Sequence, residues 1–186
     1  DLYPLIAGVS GGIVPWLKGV FQQFALSFPE CTLLLFHRGN SPLKVLGDKV
    51  EYFQLDEHPV VFYEQLSRIC RDRDVNVLIR TYPQELQPDF PVQRQIFVIP
   101  DIQHEFFPDF FPKQTLSARR RAFTYALSCG GAIATLTEHS KQSLLTEGYS
   151  MTDDVFLMPA ALPTELRHDA DPSKLPAVAK AFNQYF

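Results

Sequence analysis

The stretch Gln95-Ile96-Phe97-Val98-Ile99-Pro100-Asp101-Ile102-Gln103-His104-Glu105-Phe106-Phe107-Pro108-Asp109-Phe110-Phe111 decides how the rest of the chain is read. Its opening, Ile96 to Ile99, is wholly apolar, as a strand covered on both faces would be. It stops at Pro100, which has no N–H for a ladder. Beyond Pro100, the residues Asp101, Gln103, His104, Glu105 and Asp109 are interleaved with phenylalanines, so titratable groups and large rings crowd one loop past a strand's carboxyl end. In open α/β sheets ligands bind at that edge. A plainer reading stands beside this one: phenylalanines next to prolines plug a gap under a helix, and the histidine is structural.

Working outward, the chain on either side alternates between two periodicities. Upstream, a first strand is expected at about 1–7, followed by the turn Gly8-Val9-Ser10-Gly11-Gly12. Val14, Leu17, Phe21, Phe24, Ala25 and Phe28 then recur at helical spacing between Pro15 and Pro29. Apolar runs at 31–36 and 50–55 read as strands. A helix is expected over 59–71, carrying Phe62, Leu66, Ile69 and Cys70 on one face, and a strand at 75–79 delivers Arg80 and Tyr82 to its carboxyl end. Downstream, a helix over 113–130 precedes a strand at 132–136. Thr137 reads as the cap of a helix that ends at Gly148. A seventh strand is expected at 155–158, and a last amphipathic helix over 171–185.

Strands that alternate with helices, and whose apolar runs are continuous, imply a doubly wound, mostly parallel Rossmann-like sheet of about seven strands with helices on both faces. Residues 1–186 form one such domain. Parallel strands place their carboxyl ends along one edge, which would gather Gly11-Gly12, His37-Arg38, Arg80 to Tyr82, Asp101 to His104 and Thr137 to Ser140.

Composition narrows the function. A net charge of -4 and a short basic run, Arg119-Arg120-Arg121, give no electrostatic footprint for nucleic acid. Cys31, Cys70 and Cys129 are odd in number and far apart, so they imply neither a disulfide framework nor a zinc site, and a reducing cytoplasmic setting is expected. No run reaches the roughly 20 apolar residues a membrane span needs, which leaves a peripheral membrane contact open. The chain starts at Asp1 without a methionine and closes on Tyr185-Phe186, so a fragment of a longer protein is expected.

Glycine turns at helix N-termini present unbonded amides to anions, so Gly11 and Gly12 are candidates for holding a phosphate or diphosphate, although a tight turn also needs glycine on its own account. The turn is not G-x-G-x-x-G, and the 31–36 strand runs out into His37-Arg38 rather than an acidic residue, which argues against a nicotinamide cofactor. Gly8, Ser10 and Gly12 fit G-x-S-x-G, making Ser10 a formal esterase nucleophile, yet that elbow belongs deep in a sheet rather than after its first strand. His104-Glu105 lacks the second histidine of H-E-x-x-H, and Pro108 would break the helix that motif needs, so no metal is expected.

Gly11-Gly12, Pro100-Asp101-Ile102-Gln103-His104 with Phe107-Pro108 and Phe110-Phe111 behind it, Thr137-Glu138-His139-Ser140-Lys141, and Leu157-Met158-Pro159-Ala160 together resemble the N-terminal half of a GT-B glycosyltransferase of family 4 type. The resemblance covers nearly the whole chain through the order and spacing of motifs that are each weak alone. It implies an acceptor-binding domain facing a nucleotide-sugar-binding domain, retaining transfer to a glycan or lipid-linked acceptor, and no metal or other cofactor. On this resemblance Gly11 and Gly12 approach the donor diphosphate and His104 meets the sugar near the reacting centre. Arg80, Tyr82, Asp101, Glu105, Thr137, Glu138 and Ser140 are assigned to the acceptor side or the cleft wall. The family's donor-binding lysine and paired glutamates belong to the second domain, which this chain lacks, so the chain alone is expected to be inactive. The competing expectation is a stand-alone binding module that completes its cleft with a separate chain.

Overall fold

The computed structural model describes residues 1–6, 8–146 and 154–159. Six strands are found among them: β1 (Leu33–Arg38), β2 (Val50–Leu55), β3 (Leu78–Arg80), β4 (Gln95–Val98), β5 (Ala132–Thr135) and β6 (Val155–Leu157). All the pairings are parallel, in a two-stranded sheet β1-β2 and a four-stranded sheet β3-β4-β5-β6. The chain is therefore mixed α/β with parallel sheets, compatible with a Rossmann-like arrangement. The expectation of about seven strands in one sheet is corrected to six in two small sheets.

The missing strand is the first one, and the reason is local. Only residues 1 and 2 lie extended between the sheets: the Leu2 N–H donates to Phe36 O of β1 at 2.8 Å, and the Asp1 nitrogen donates to Ile79 O of β3 at 2.8 Å. Thr81 answers from the other side, its Oγ1 donating to Asp1 O at 2.7 Å. Pro4 has no N–H to extend the ladder, and Leu5 N turns back to Leu2 O. Two residues thus bridge β1 and β3, and the order across the bridge is β2-β1-bridge-β3-β4-β5-β6. Strand order reverses at the bridge, which makes it the topological switch point of the fold.

Helices cover both faces, as strand alternation requires. α1 (Ile13–Ser27) lays Trp16, Leu17 and Phe21 against Leu35, Val98 and Ala134. On the opposite face α2 (Pro59–Asp72) packs Phe62 and Leu66 on Phe36 and Leu78, the alternate residues of the same strands. There too α4 (Lys113–Ser128) sets Phe123 and Ala126 against Phe97 and Ile133, with Leu144 of α5 (Glu138–Thr146) in the same cluster. Each fully buried Phe or Leu of these clusters stabilises the fold by about 1.5–3 kcal/mol. The short helix α3 (Gln103–Phe106) and a single 3-10 turn, Pro108–Phe110, replace the loop expected after β4. The last expected helix, 171–185, and Gly148 lie outside the described residues.

Beside the bridge Arg80 is buried at 0% exposure. Its Nε donates to Asp1 Oδ2 at 2.8 Å, its Nη1 to Gln87 Oε1 at 2.8 Å, and its Nη2 to Leu86 O at 3.1 Å, while the guanidinium lies over the Tyr63 ring. A buried charge is tolerated only when paired and hydrogen-bonded to this degree. Arg80 thereby ties the bridge, α2 and the 83–91 loop together.

Candidate functional site

A cavity of about 480 Å³ opens where the fold predicts one, at the carboxyl edge beside the switch point. Four of its walls are the residues that follow strand ends: Pro4 and Leu5 after the bridge, Tyr82 after β3, Pro100 and Asp101 after β4, and Leu136 after β5. Ser10, Gly12, Ile13 and Trp16 enter from the glycine turn and α1, and Gln103 and Arg119 from α3 and α4.

The turn is built by glycines where the backbone demands them. Gly8 and Gly11 have φ of 74° and 56°, in the left-handed region that side chains disfavour. Gly12, the N-cap of α1, has an ordinary φ of -65°, and a methyl group added there would meet nothing within 4 Å. No side chain caps α1, and its first turn holds no acidic residue, so the positive end of the helix dipole is not neutralised from within. Ser10 Oγ accepts from the Ile6 N–H at 2.8 Å, and among the described residues no histidine hydrogen-bonds it. Nothing there prepares it as a nucleophile.

His104 follows the cavity-lining Gln103 on α3, but neither it nor Glu105 lines the cavity. His104 is 1% exposed, with its ring 4.6 Å from Phe123 and 6.5 Å from Phe111, edge to face in both cases. Among the described residues Nδ1 has no hydrogen-bond partner although it is buried, and Nε2 stands 3.6 Å from Glu105 Oε1. Burial holds its pKa below the ordinary 6.5, partly countered by the Glu105 carboxylate and reinforced by Arg119, so the imidazole is neutral at pH 7. Glu105 is itself forked by Arg120, at 3.0 Å from Nε and 2.9 Å from Nη2.

The other expected residues divide. Tyr82 and Asp101 line the cavity with Gly12; Tyr82 packs edge-on to Phe123, and burial pushes its pKa up, while Asp101 Oδ1 accepts from the Gln103 N–H at 3.0 Å. Arg80 is not brought to the cavity, since its guanidinium is held inside by the bridge. Thr137, Glu138 and Ser140 stand at the start of α5: Thr137 Oγ1 accepts from the Ser140 N–H at 3.0 Å, and Glu138 accepts from Gln142 at 2.8 Å. Helix capping and an i,i+4 pair account for those contacts.

Gln103, named in the loop after β4, belongs to the wall, as do Trp16 and Arg119, which were not among the expected site residues. Arg119 could have been found, because it lies three residues after Leu116 and four before Phe123, on the inward stripe of α4 rather than its solvated side. Among the described residues no cluster of three or more His, Cys, Asp or Glu is placed to hold a metal ion, and no helix is long and apolar enough to cross a membrane. A second, shallower hollow of about 380 Å³ lies between α2 and the 83–91 loop, lined by Ser67, Arg71, Gln87 and Asp89. No protein-family model, curated protein or solved structure matches the chain.

Proposed function

We propose that the chain is the acceptor-side half of a retaining sugar-transfer site that uses a nucleotide-sugar donor. One observation carries this reading: Gly12 at the uncapped start of α1, and Asp101 and Gln103 just before His104 in sequence, share one cavity at the switch point. Helix N-termini of this kind favour phosphate oxygens, so the turn is the place for a donor diphosphate. Neutral His104 would donate from a ring nitrogen to a sugar hydroxyl, and Tyr82 and Asp101 would receive the acceptor's hydroxyls. His104 is buried and does not line the cavity, so its contact with the sugar requires α3 to shift when ligand binds; its Nδ1, which has no partner among the described residues, is the ring atom left to make it.

Transfer requires a nucleotide-binding wall opposite the cavity, so the 186-residue chain alone should not turn over, while a longer protein that joins it to such a wall should act on one member of a nucleotide-sugar panel. In that protein His104→Ala should lower the transfer rate by about 10²-fold, more than any change in stability explains. An unchanged rate would return His104 to a structural role and defeat the reading. A second reading, a binding module completed by a separate chain, draws on Phe106, Phe107 and Phe110, which stand about half or more exposed, with the rings of Phe107 and Phe110 stacked at 5.4 Å. Transfer activity in the longer protein would exclude it.

A further inference from the structure

The cavity contains a cation that makes no ion pair with any described residue. Arg119 lines it, with its guanidinium carbon 4.5 Å from the ring centre of Phe111 and 5.9 Å from that of Tyr82. Its sequence neighbours are engaged elsewhere: Arg120 forks onto Glu105, and Arg121 onto Glu85. Among the described residues the Arg119 side chain makes no ion pair and donates no hydrogen bond; the two rings are what position it. Ring contacts use the faces of a guanidinium and leave the N–H donors at its rim. A guanidinium positioned this way suits bidentate recognition of a carboxylate or phosphate.

The rest of the wall limits how much negative charge the ligand can carry. Asp101 lines the same cavity, and a second anionic group near its carboxylate would be repelled, whereas a hydroxyl would find an acceptor. Ser10, Tyr82 and Gln103 add further groups that bond hydroxyls. We propose that Arg119 anchors a single phosphate or carboxylate on a small polyhydroxylated ligand, with Asp101 receiving its hydroxyls. This inference goes beyond the transfer reading and holds without it, since it concerns binding by the chain itself.

Calorimetric titration of the 186-residue chain with glucose 6-phosphate, glucose, inorganic phosphate and UDP tests it. Glucose 6-phosphate should bind at least about tenfold more tightly than glucose, the minimum expected of one charge-assisted bidentate contact. It should also bind more tightly than inorganic phosphate, which has no carbon hydroxyls to offer. Arg119→Gln should reduce glucose 6-phosphate affinity by at least about tenfold and leave glucose unchanged, whereas Arg121→Gln, on an arginine already paired with Glu85, should change neither. UDP binding that Arg119→Gln weakens at least as much as it weakens glucose 6-phosphate binding would set a diphosphate on Arg119 and overturn the single-anion assignment. Because Arg119→Gln also removes two ring contacts, the unmutated chain provides a second readout: the Arg119 Nε–H resonance should shift on adding glucose 6-phosphate and not on adding glucose. Equal affinity in Arg119→Gln, or an Nε–H resonance unmoved by glucose 6-phosphate, overturns the proposal.

Discussion

His104 and Arg80 are both buried polar residues near the carboxyl edge, and they differ in how completely the protein satisfies them. Arg80 spends its donors on Asp1, Gln87 and Leu86, so it is part of the frame. Replacing it by leucine leaves the Asp1 carboxylate buried without its counter-charge and should destabilise the fold by about 3–5 kcal/mol in urea unfolding; a loss below about 1 kcal/mol would show that the ion pair is not structural. Among the described residues His104 keeps one ring nitrogen without a partner, so His104→Phe, which fits the same aromatic pocket, should change stability at pH 7 by less than about 1.5 kcal/mol. The pH dependence has a definite sign. Folding lowers the His104 pKa, so the neutral form's contribution is complete above 6.5 and declines as pH falls from there through the folded pKa, the unfolded chain taking up its proton first. The difference in unfolding free energy between pH 7.5 and pH 5 should therefore be smaller in His104→Phe than in the unmutated chain, and an equal difference would mean that this imidazole is not held neutral.

At the scale of elements, the turn and the helix starts can be separated by glycine and cap substitutions. Gly11→Ala must adopt a positive φ and should cost about 1–2 kcal/mol, while Gly12→Ala, with a helical φ and open space around it, should fold normally and act only on binding. If Gly12→Ala destabilised the chain as much as Gly11→Ala, the turn would be structural throughout. Thr137→Ala should cost about 1 kcal/mol through loss of the α5 cap, with no effect on cavity binding. The helices and the β4 strand were legible in the sequence because their apolar residues recur at one period: Val14, Leu17 and Phe21 for α1, Ile96 to Ile99 for β4. The first strand was misread because Leu2, Leu5 and Ile6 look like a strand by composition, while Pro4 limits pairing to two residues. Arg119 is hard to place from the sequence for a related reason. A run of three arginines suggests solvent, and only the position of Leu116 and Phe123 on the same stripe shows that one of them turns inward.

For the molecule as a whole, the parallel pairing followed from alternation alone, since continuous apolar strands between amphipathic helices leave few other topologies. That placed Gly12, Tyr82 and Asp101 on one edge before any coordinates. It could not tell which polar residues near that edge face the cavity and which are consumed by the frame, because that depends on contacts between segments distant in sequence, such as Arg80 with Asp1. The central claim is that ligands enter the 480 Å³ cavity at the switch point. Amide and indole chemical-shift mapping of the 186-residue chain, titrated with glucose 6-phosphate and with a nucleotide-sugar, tests it most directly. Shifts should concentrate at Ser10 to Ile13, the Trp16 indole, Tyr82 and Asp101 to Gln103, and shifts confined to Ser67, Gln87 and Asp89 of the second hollow, or no shifts at all, would contradict it.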